Sequence, residues 1–598
     1  MASRIQIQDI SPLVDCGRYA VKACAGDEVR VEATIFRDGH EVLGAALRTK
    51  RLSATRWRET PMTELGNDRW AASFTPDSCG RWCYRIDAWV DPVRSFQWEL
   101  QRKVEGRQQD LSSELAEGAL LLGRESLTVE EALAAEPGAR LELARSQTLN
   151  VDVDSPVARF GSWYELFPRS WGGFEGVRRV VPQIAELGFD VLYFTPIHPI
   201  GKTNRKGANN TLVAGPDDPG SVYGIGSEDG GHEAVAPELG TLEDFESLVA
   251  TCQEHGIEIA LDIALQCSPD HPWLKEHPEW FFHRPDGTLK YAENPPKKYQ
   301  DIYNVNFQSD DWRGLWDAWL EIFRLWVSRG VKAFRVDNPH TKPVAFWEWL
   351  IAEVHRSDPD VIFLSEAFTR RAMMRALAKA GFSQSYTYFT WKNSKWELEE
   401  YVSELVHETA DYFRPNFFAN TPDILHAYLQ HGGRPAFEAR LVLAGTLSPS
   451  YGIYSGFEHC ENVPVREGSE EYLNSEKYEL KARALDGPLL PMTRALNQAR
   501  HAHPALQHLR GTRFLDTHSD TLVAYAKVHD ADIVLAVVNI DPHHTQEGLV
   551  TVPADLGLPP VFGVRDLLDG SGYDWRLGGN YVRLEPGHRQ AHVFEVLR

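Results

Sequence analysis

The middle of the chain alternates strand-like apolar runs with helical patterns, and this alternation limits the possible folds more than any other feature. Helical patterns occupy 241–255, behind Thr241, and 310–329. Repeated strand–helix units build a parallel sheet, and eight of them close into a barrel. The sequence therefore predicts an α/β fold with a (β/α)8 TIM barrel over residues 151–505, which includes a loop-rich subdomain at about 266–308. The predicted barrel strands are 162–166, 191–195, 257–263, 332–336, 361–365, 385–389, 416–420 and 451–455.

Both ends of the chain carry short runs in which apolar and polar residues alternate between turn residues. Near the N-terminus these runs are 29–36, 70–76 and 84–90, and similar runs return near the C-terminus. Short, regularly spaced strands of this kind are typical of β-sandwiches. We therefore expect flanking β-sandwich domains, an N-terminal one at 1–105 and a C-terminal one at 506–598.

The segment 106–150 is rich in Ala, Leu and Glu at helical spacing. Thr128 precedes Glu131 by three residues, which is the spacing of a capping box at the start of a helix. This segment is predicted to be a small helical insertion between the N-terminal sandwich and the barrel.

The charge balance excludes several classes of partner. The 598 residues include 62 Lys+Arg and 85 Asp+Glu, so the formal net charge is −23. A field of that sign repels nucleic acid and anionic membranes. The chain also has no apolar run near the roughly 20 residues of a membrane span. We expect no nucleic-acid partner and no membrane partner.

The seven cysteines are too few and too scattered for a disulfide framework. Cys79 and Cys83 have the spacing of half a redox or metal site, but no second Cys/His pair lies near them in the sequence. The N-terminal residues also lack the apolar segment of a signal peptide. The prediction is a cytoplasmic protein without a cofactor.

Carboxylates follow three of the predicted barrel strands. Asp337 comes two residues after Arg335, Glu366 ends the next strand, and Asp423 follows the seventh. A single acidic residue at a strand end is more often a helix cap, but catalytic groups of TIM barrels come from these ends. Because three carboxylates here point to one face, we expect them to form a catalytic site.

Two carboxylates beside a sugar bond are what retaining glycoside chemistry requires. In this hypothesis Asp337 is the nucleophile, and Arg335 keeps it ionised. Glu366 is the proton donor and later the base, with a pKa raised by burial and by neighbouring negative charge. Asp423 binds sugar hydroxyls and favours the distorted ring of the transition state.

Four segments resemble the signature motifs of the α-amylase superfamily, glycoside hydrolase family 13. They are LDIALQ (261–266), FRVDN (334–338), FLSEAF (363–368) and FANTPD (418–423). The resemblance implies the same roles for Asp337, Glu366 and Asp423, with Asp262 and Arg335 completing the set.

The sequence departs from ordinary amylases at positions that normally grip the hexose. Gln266 and Cys267 replace Asn-His, and Thr421-Pro422 replaces Asn-His. After Asp337, where a small residue and later Lys-His are usual, this chain has Asn338-Pro339-His340. These variants resemble the bacterial maltosyltransferases, which extend α-1,4-glucans from α-maltose 1-phosphate. The resemblance also includes GKTNRKGANN (201–210), NPPKKYQD (294–301) and SPSYGIYSG (448–456). It implies a glycosyltransferase that releases phosphate and forms a homodimer through its N-terminal region.

Loops after several barrel strands offer cations, amides and phenols that suit a phosphate ester. The resemblance implies that the donor is held by some of these groups, and Lys297 or Lys477 could equally be a solvated surface charge. The predicted substrate-binding residues are Lys206, Gln266, Lys297, Tyr299, Asp301, Arg335, Asn338, Lys477 and Tyr478.

Other readings of the same residues remain open. The chain could be an α-glucan hydrolase or 4-α-glucanotransferase, a sucrose- or trehalose-active relative, or a catalytically inactive binding scaffold. No metal is predicted, because Gln266 replaces the Asn of the usual calcium-binding segment. His232 lies roughly where amylases carry a Tyr that stacks on the sugar, although a structural His is equally compatible. The Trp residues at 312–326 and 346–349 are interpreted as helix packing.

Overall fold

The computed structural model describes residues 3–295 and 297–597, which divide into unit 1 (1–154) and unit 2 (155–598). In unit 1, apolar side chains from two β-sheets share a core that includes Val31, Trp70 and Ile86. One sheet has the strand order Ile5–Ser11, Val29–Arg37, Arg69–Phe74, Thr63–Gly66. The other has the order Val21–Cys24, Leu149–Asp154, Gly80–Val90, Leu43–Arg51, Arg58–Pro61, and Leu141–Arg145 pairs with Gly80–Val90.

The helices of unit 1 are Pro92–Glu105, Ser112–Leu122 and Val129–Leu133. The predicted capping box is confirmed, since the Thr128 hydroxyl accepts from the Glu131 N–H and the Glu131 carboxylate accepts from the Thr128 N–H. The helical segment differs from the prediction at both ends. It begins at Pro92, where Asp91 caps the helix, and residues 149–154 form a strand because LNVDVD alternates between the core and solvent.

The core of unit 2 is the predicted barrel. Among the described residues, eight parallel strands form one sheet, and their residues are buried on both faces as expected for a parallel sheet. A bridge between Ser385 and Pro415 closes the sheet between strands 6 and 7. Barrel strands 1 to 8 are Gly161–Leu166, Val191–Phe194, Glu258–Ile263, Ala333–Asp337, Ile362–Glu366, Gln384–Ser385, Asn416–Phe418 and Ser450–Tyr454.

The predicted sixth strand, 385–389, is wrong in its position. Strand 6 is Gln384–Ser385, and Tyr388–Trp391 is a 3-10 helix. The buried Arg440 explains the difference, because it donates to the carbonyls of Phe389 and Lys392 and lies 3.6 Å from the centre of the Phe389 ring. These contacts turn the backbone away from the extended conformation.

Helices follow the barrel strands in chain order. The helix predicted behind Thr241 is confirmed as Leu242–Glu254, again with a capping box. Trp319, Trp326 and Trp347 are fully buried, which confirms helix packing for them, whereas Trp312 is 42 % exposed at the first residue of its helix. The helices of unit 2 are Gly173–Glu186, Leu242–Glu254, Trp273–Glu276, Trp312–Ser328, Val344–Ser357, Arg371–Ala380, Lys395–Glu404, Ala427–Leu447 and Leu490–Ala502.

Two further groups of strands lie outside the barrel in unit 2. The predicted subdomain after strand 3 contains an antiparallel sheet in the order Gln266–Cys267, Lys297–Asn304, Tyr291–Asn294. The C-terminal strands form one sheet in the order Thr512–Leu515, Leu522–His529, Asp532–Asn539, Ala591–Leu597, Val561–Asp566, Gly572–Arg576. Gln546–Val552 pairs with Gly578–Leu584 in a second sheet, and the two sheets share one apolar core. Within residues 3–295 and 297–597, no helix has the length and apolar content that a membrane span needs.

The buried Arg500, on the last helix of the barrel region, ties the starts of strands 1 and 8 together. Its guanidinium donates to the carbonyls of Gly161, Gly445, Ser448 and Pro449. We expect Arg500→Met to lower the free energy of unfolding by about 3 kcal/mol, because these buried carbonyls lose their donors. Urea denaturation followed by tryptophan fluorescence measures the change.

The exposed Arg494 on the same helix provides the control. Arg494→Met should change the free energy of unfolding by less than about 0.5 kcal/mol. An equal loss in both variants would contradict the assigned role of Arg500.

Candidate active site

The guanidinium of Arg335 joins the carboxylates that end strands 3, 4 and 5. Its Nη1 donates to Asp337 Oδ1 at 2.9 Å and to both Asp262 oxygens at 3.1 Å. Its Nη2 lies 3.5 Å from Glu366 Oε1. All four side chains are buried. Burial lowers the pKa of Arg335, but Asp262 and the other acids more than reverse this, so the pKa lies well above the ordinary value and the group stays charged.

Asn338 connects the predicted nucleophile to the predicted acid. Its backbone N–H donates to Glu366 Oε2 at 3.1 Å, and its Nδ2 donates to Asp337 Oδ2 at 3.2 Å. Asp337 and Glu366 are register partners on neighbouring strands. Burial raises the pKa of Glu366 to about 8, Arg335 opposes the shift, and the negative charges of Asp337 and Asp423 add to it. Glu366 is therefore protonated at neutral pH, as a proton donor must be.

Two tyrosines that the sequence analysis did not select hold Asp262 in place. Tyr193 and Tyr223 donate their hydroxyls to Asp262 Oδ2 at 2.6 and 3.1 Å. Burial raises the pKa of Asp262 to about 6. Tyr193 is inside strand 2 and Tyr223 in the loop after it, so both look like ordinary core residues in the sequence.

Of the two readings of His232 that the sequence left open, the structure supports the structural one. His232 Nε2 donates to the Ala264 carbonyl at 2.9 Å, and its Nδ1 lies 3.1 Å from His271 Nε2. The ring also packs edge-on against Trp319. His232 is thus a satisfied core histidine, which burial keeps neutral by lowering its pKa well below the ordinary value.

A second group of charges lies on the loops after strands 7 and 8. Lys477 Nζ forms an ion pair with Asp423 Oδ1, and the Lys477 side chain is 14 % exposed. Burial lowers the pKa of Lys477, but Asp423 outweighs it and the pKa lies well above the ordinary value. Lys477 Nζ also lies 5.4 Å from the centre of the Tyr478 ring. Lys477 is therefore not the solvated surface charge that remained possible from sequence.

The loops after strands 2 and 3 carry the remaining predicted binding residues. Lys206 is buried and donates to Gln300 Oε1 at 2.8 Å. Asp301 is buried, and its Oδ1 has no hydrogen-bond partner among the described residues. Burial raises the pKa of Asp301, and Lys206 and Lys477 oppose the shift. Lys206, Lys477, Asp301 and Asp423 therefore form one mixed-charge cluster.

Three predicted residues lie on the small antiparallel sheet after strand 3. Gln266 is buried and donates to the Tyr223 carbonyl at 3.3 Å. Tyr299 is half-buried on the strand Lys297–Asn304. The side chain of Lys297 lies outside the described part of the structure, so its predicted role stays a prediction.

Lys342, which the sequence analysis did not select, is a buried cation near Asp337 and Glu366. Its Nζ lies 3.4 Å from the Asn338 carbonyl. Burial lowers its pKa, and the charges of Asp337 and Glu366 act in the opposite direction. The sequence signal that could have identified Lys342 is its position, five residues after the predicted nucleophile and in the same loop. Lys342 therefore adds a buried positive charge close to Asp337 and Glu366.

Two clusters have the composition of metal sites, but their ligand atoms are already used. His232, Cys267 and His271 lie together, yet His271 Nδ1 accepts from the Trp273 N–H and its Nε2 faces His232. In the exposed cluster His277, Glu279 and Asp311, Asp311 accepts from Gly314 N–H and Trp280 Nε1. A metal would have to displace these hydrogen bonds, so neither cluster is a prepared site.

Comparison with known proteins agrees with this geometry. The fold is similar to an α-amylase from Lactobacillus plantarum (22 % identity, TM-score 0.59, covering 74 % of this chain and 100 % of that one). It is also similar to the trehalulose synthase of Pseudomonas mesoacidophila MX-45 (15 % identity, TM-score 0.56, covering 74 % and 100 %). A family model described as "Alpha amylase, catalytic domain" matches residues 160–345. The chain thus has an α-amylase-type barrel fold.

Further matches identify the family to which the chain belongs. "Alpha-1,4-glucan:maltose-1-phosphate maltosyltransferase, domain N/S" matches residues 3–160, and "GLGE, C-terminal" matches 514–596. Maltosyltransferases with that name from Streptomyces coelicolor, Pseudomonas aeruginosa and Mycobacterium tuberculosis are 51, 47 and 44 % identical. These alignments cover 99–100 % of this chain and 96 % of each relative. The chain belongs to the α-1,4-glucan:maltose-1-phosphate maltosyltransferase family.

The raised pKa of Glu366 gives a test of the site electrostatics. The neutral carboxyl stabilises the fold below the ordinary value of 4.5, and this contribution is lost as pH rises through about 8. Glu366→Gln is neutral throughout, so its melting temperature should rise relative to that of the native protein between pH 5 and 9.

Differential scanning fluorimetry across this range measures the effect, with the exposed Glu348→Gln as control for the loss of a carboxyl. If the difference in melting temperature between Glu366→Gln and the native protein did not change with pH, the raised pKa of Glu366 would be contradicted.

Proposed function

We propose that this enzyme transfers maltosyl units from α-maltose 1-phosphate to the non-reducing end of α-1,4-glucans and releases inorganic phosphate. The observation that carries the proposal is the pair Asp337 and Glu366, at adjacent strand ends and joined through Arg335. The donor and acceptor are those in the names of full-length relatives. Neighbouring strands lie about 5 Å apart, which suits a retaining pair of carboxylates.

In the first step an Asp337 oxygen attacks the anomeric carbon of the donor. The bond between that carbon and the phosphate oxygen breaks, and phosphate leaves with the electron pair while Glu366 supplies a proton. The product is a β-maltosyl ester of Asp337. Arg335 Nη1 donates to Asp337 Oδ1 at 2.9 Å and so orients the carboxylate for the attack.

In the second step the ionised Glu366 takes the proton of the acceptor 4-OH. The acceptor oxygen attacks the anomeric carbon, and the ester bond to Asp337 breaks, so the carboxylate is restored. Two inversions give an α-1,4 bond with overall retention. The Asn338 N–H, which donates to Glu366 Oε2, orients the acid in both steps.

Of the residues around the carboxylate pair, we assign some to the sugar and some to the phosphate of the donor. The residues proposed to bind sugar hydroxyls are Asp423, Asp301, Lys206, Lys477, Tyr478 and Gln266, because their charged and polar groups can donate to hydroxyls or accept from them. Lys206 and Lys477 already face Gln300 and Asp423, so they are less suited to a dianion. Asn338, Tyr299 and Lys297 are proposed to contact the phosphate, with the field of Lys342 behind them.

We further propose a homodimer in the cytoplasm. Leu120, on a helix of the predicted insertion, is 84 % exposed, and Leu121 beside it is 40 % exposed. Exposed apolar side chains of this kind support an interface through the N-terminal region. The buried Cys83, Cys252 and Cys267 are thiols, which suits a reducing compartment.

The function is tested by incubating the enzyme with α-maltose 1-phosphate, with and without glycogen. We expect phosphate release that depends on glycogen, and a product whose new linkage is α by proton NMR. Asp337→Ala should reduce the rate by about 10⁴-fold, because the nucleophile is lost.

The exposed Asp574→Ala, on a C-terminal strand, is the matched control and should retain the rate. Shortening of glycogen without use of maltose 1-phosphate would favour the hydrolase or glucanotransferase alternative. Unchanged function in Asp337→Ala would favour an inactive scaffold.

The homodimer is tested by light scattering. Leu120→Glu places a charge where the interface is proposed and should shift the mass from dimer toward monomer. Leu549→Glu, at a residue that is 47 % exposed on a C-terminal strand, should leave the mass unchanged. A monomeric native protein would refute the proposal directly.

A further inference from the structure

Glu165 is a buried acid of the barrel that neither the two catalytic steps nor the donor-binding residues use. It lies on strand 1 with 1 % of its surface exposed, and its Oε2 has no hydrogen-bond partner among the residues that the structure describes. Its register partner on strand 2 is Tyr193, whose hydroxyl donates to Asp262. Residues in register on neighbouring parallel strands point to the same face. The Glu165 side chain therefore points into the barrel interior, as Tyr193 does.

Two other buried polar atoms near Glu165 also have no partner within residues 3–295 and 297–597. They are Arg335 Nε and the hydroxyl oxygen of Tyr386, and Arg335 Cζ lies 5.8 Å from the centre of the Tyr386 ring. Burial raises the pKa of Glu165 well above the ordinary value, and Arg335 is the charge that opposes this shift most strongly. Burial also raises the pKa of Tyr386, and Glu165 is the charge that adds most to that shift. The three groups thus lie within electrostatic reach of one another.

The hydrogen-bonding capacities of these three groups are complementary. Arg335 Nε can only donate, because a guanidinium has no acceptor. Burial favours the neutral form of Glu165, and a neutral carboxyl group has both an acceptor oxygen and an O–H donor. The Tyr386 hydroxyl can accept from that O–H. One carboxyl group can therefore serve Arg335 and Tyr386 together, either directly or through a bridging water.

The surroundings of Glu165 are otherwise aromatic. The Phe418 ring stacks on Tyr386 with 4.6 Å between the ring centres. Trp163 and Tyr193 pack edge-on against the same Phe418 ring. A carboxyl group with an unpaired oxygen destabilises such a core, which an apolar side chain of similar length would fill at lower cost. The polar group at this position therefore indicates a role other than packing.

We propose that Glu165 is a positioning residue for Arg335. Accepting from Nε fixes the plane of the guanidinium, because its three nitrogens form one rigid planar group. Nη1 then stays on Asp337 and Nη2 stays near Glu366. Arg335 is held from two sides, by the carboxylates at the strand ends and by Glu165 in the barrel interior. This inference rests on the proposed function, since Asp337 and Glu366 carry out that reaction.

The test compares two substitutions of similar size. Glu165→Gln keeps an acceptor for Arg335 Nε and a donor for Tyr386, whereas Glu165→Met keeps neither. In Glu165→Met the guanidinium can rotate away from Glu366. The pKa of Glu366, which is about 8 in the native protein, should then rise further, because Arg335 no longer lowers it as strongly.

The measurement is the pH profile of kcat/KM for α-maltose 1-phosphate, with glycogen as acceptor. We expect the basic limb of Glu165→Met to move up by about one pH unit. We also expect kcat to fall about tenfold while KM for the donor changes by less than about twofold, because the residues proposed to bind the sugar are untouched. The basic limb is diagnostic because the donor phosphate titrates on the acid side, near about pH 6.

Two variants serve as controls. Glu165→Gln should keep the basic limb at its native position. Ile453→Val, buried on strand 8, controls for altered packing. Ile453 is the register partner of Tyr164 and so faces the outside of the barrel, and its substitution should leave the basic limb unchanged. The proposal is overturned if Glu165→Met keeps the native basic limb, or if Glu165→Gln shifts as far as Glu165→Met.

A second measurement needs no substrate and separates this inference from the proposed function. The melting temperature of Glu366→Gln relative to its parent reports the pKa of Glu366, and it is measured with the native protein and with Glu165→Met as parents. We expect the difference to grow at higher pH in the Glu165→Met background. If the native enzyme released no phosphate from maltose 1-phosphate, the proposed function would fail, and equal pH dependences in the two backgrounds would separately overturn the role of Glu165.

A third variant decides if Glu165→Met does not fold. Tyr386→Phe removes only a hydroxyl group, so the O–H of Glu165 loses its acceptor while the aromatic packing stays. We expect the basic limb to move in the same direction as in Glu165→Met, by a smaller amount. A basic limb at the native pH in Tyr386→Phe would then overturn the proposal.

Discussion

The buried guanidinium of Arg335 is the interaction on which the rest of the site depends. Asp262, Asp337 and Glu366 end three adjacent strands, and three carboxyl groups in a low-dielectric interior would repel one another without a cation among them. Arg335 faces all three because it lies on the central strand of the set, two residues before Asp337. The apolar packing of the parallel sheet fixes these positions, so the chemistry follows from the barrel itself.

The mixed-charge cluster around Lys477 is also held together by opposite charges, because its cations and carboxylates come from separate loops and neutralise one another. Lys477 faces Asp423 across 54 residues of chain, and Lys206 and Lys477 both act on Asp301. A molecule with a net charge of −23 thereby keeps a locally balanced cleft. Such a cleft suits a ligand with many hydroxyl groups and one anionic end, because hydroxyls can bind to either member of each ion pair.

The sequence was most informative where function depends on position along a strand. Asp337 and Glu366 could be predicted as strand ends because apolar runs precede them directly. Contacts between distant segments could not be predicted. Arg440 reshapes the segment around Phe389 from a helix some 50 residues away, and Tyr223 reaches Asp262 from the loop after strand 2. The alternation of apolar and polar residues in 149–154 is visible in the sequence. The pairing of this strand with Gly80–Val90, however, depends on the fold of the whole unit. Which side chains share a cleft is decided by loop conformation, for which the sequence carries little signal.

The contact between the Asn338 peptide group and Glu366 has a consequence for how such a site can evolve. Asn338 has φ of 43° and ψ of 51°, and its N–H reaches the acid only because the chain turns that way. Apart from proline, which has no backbone N–H, no substitution deletes this main-chain donor; any other acts on it only by disfavouring the turn, as a β-branched residue would. The environment of the Glu366 carboxyl group is thus inherited as a shape of the backbone, and glycine or asparagine at this position suffices to preserve it.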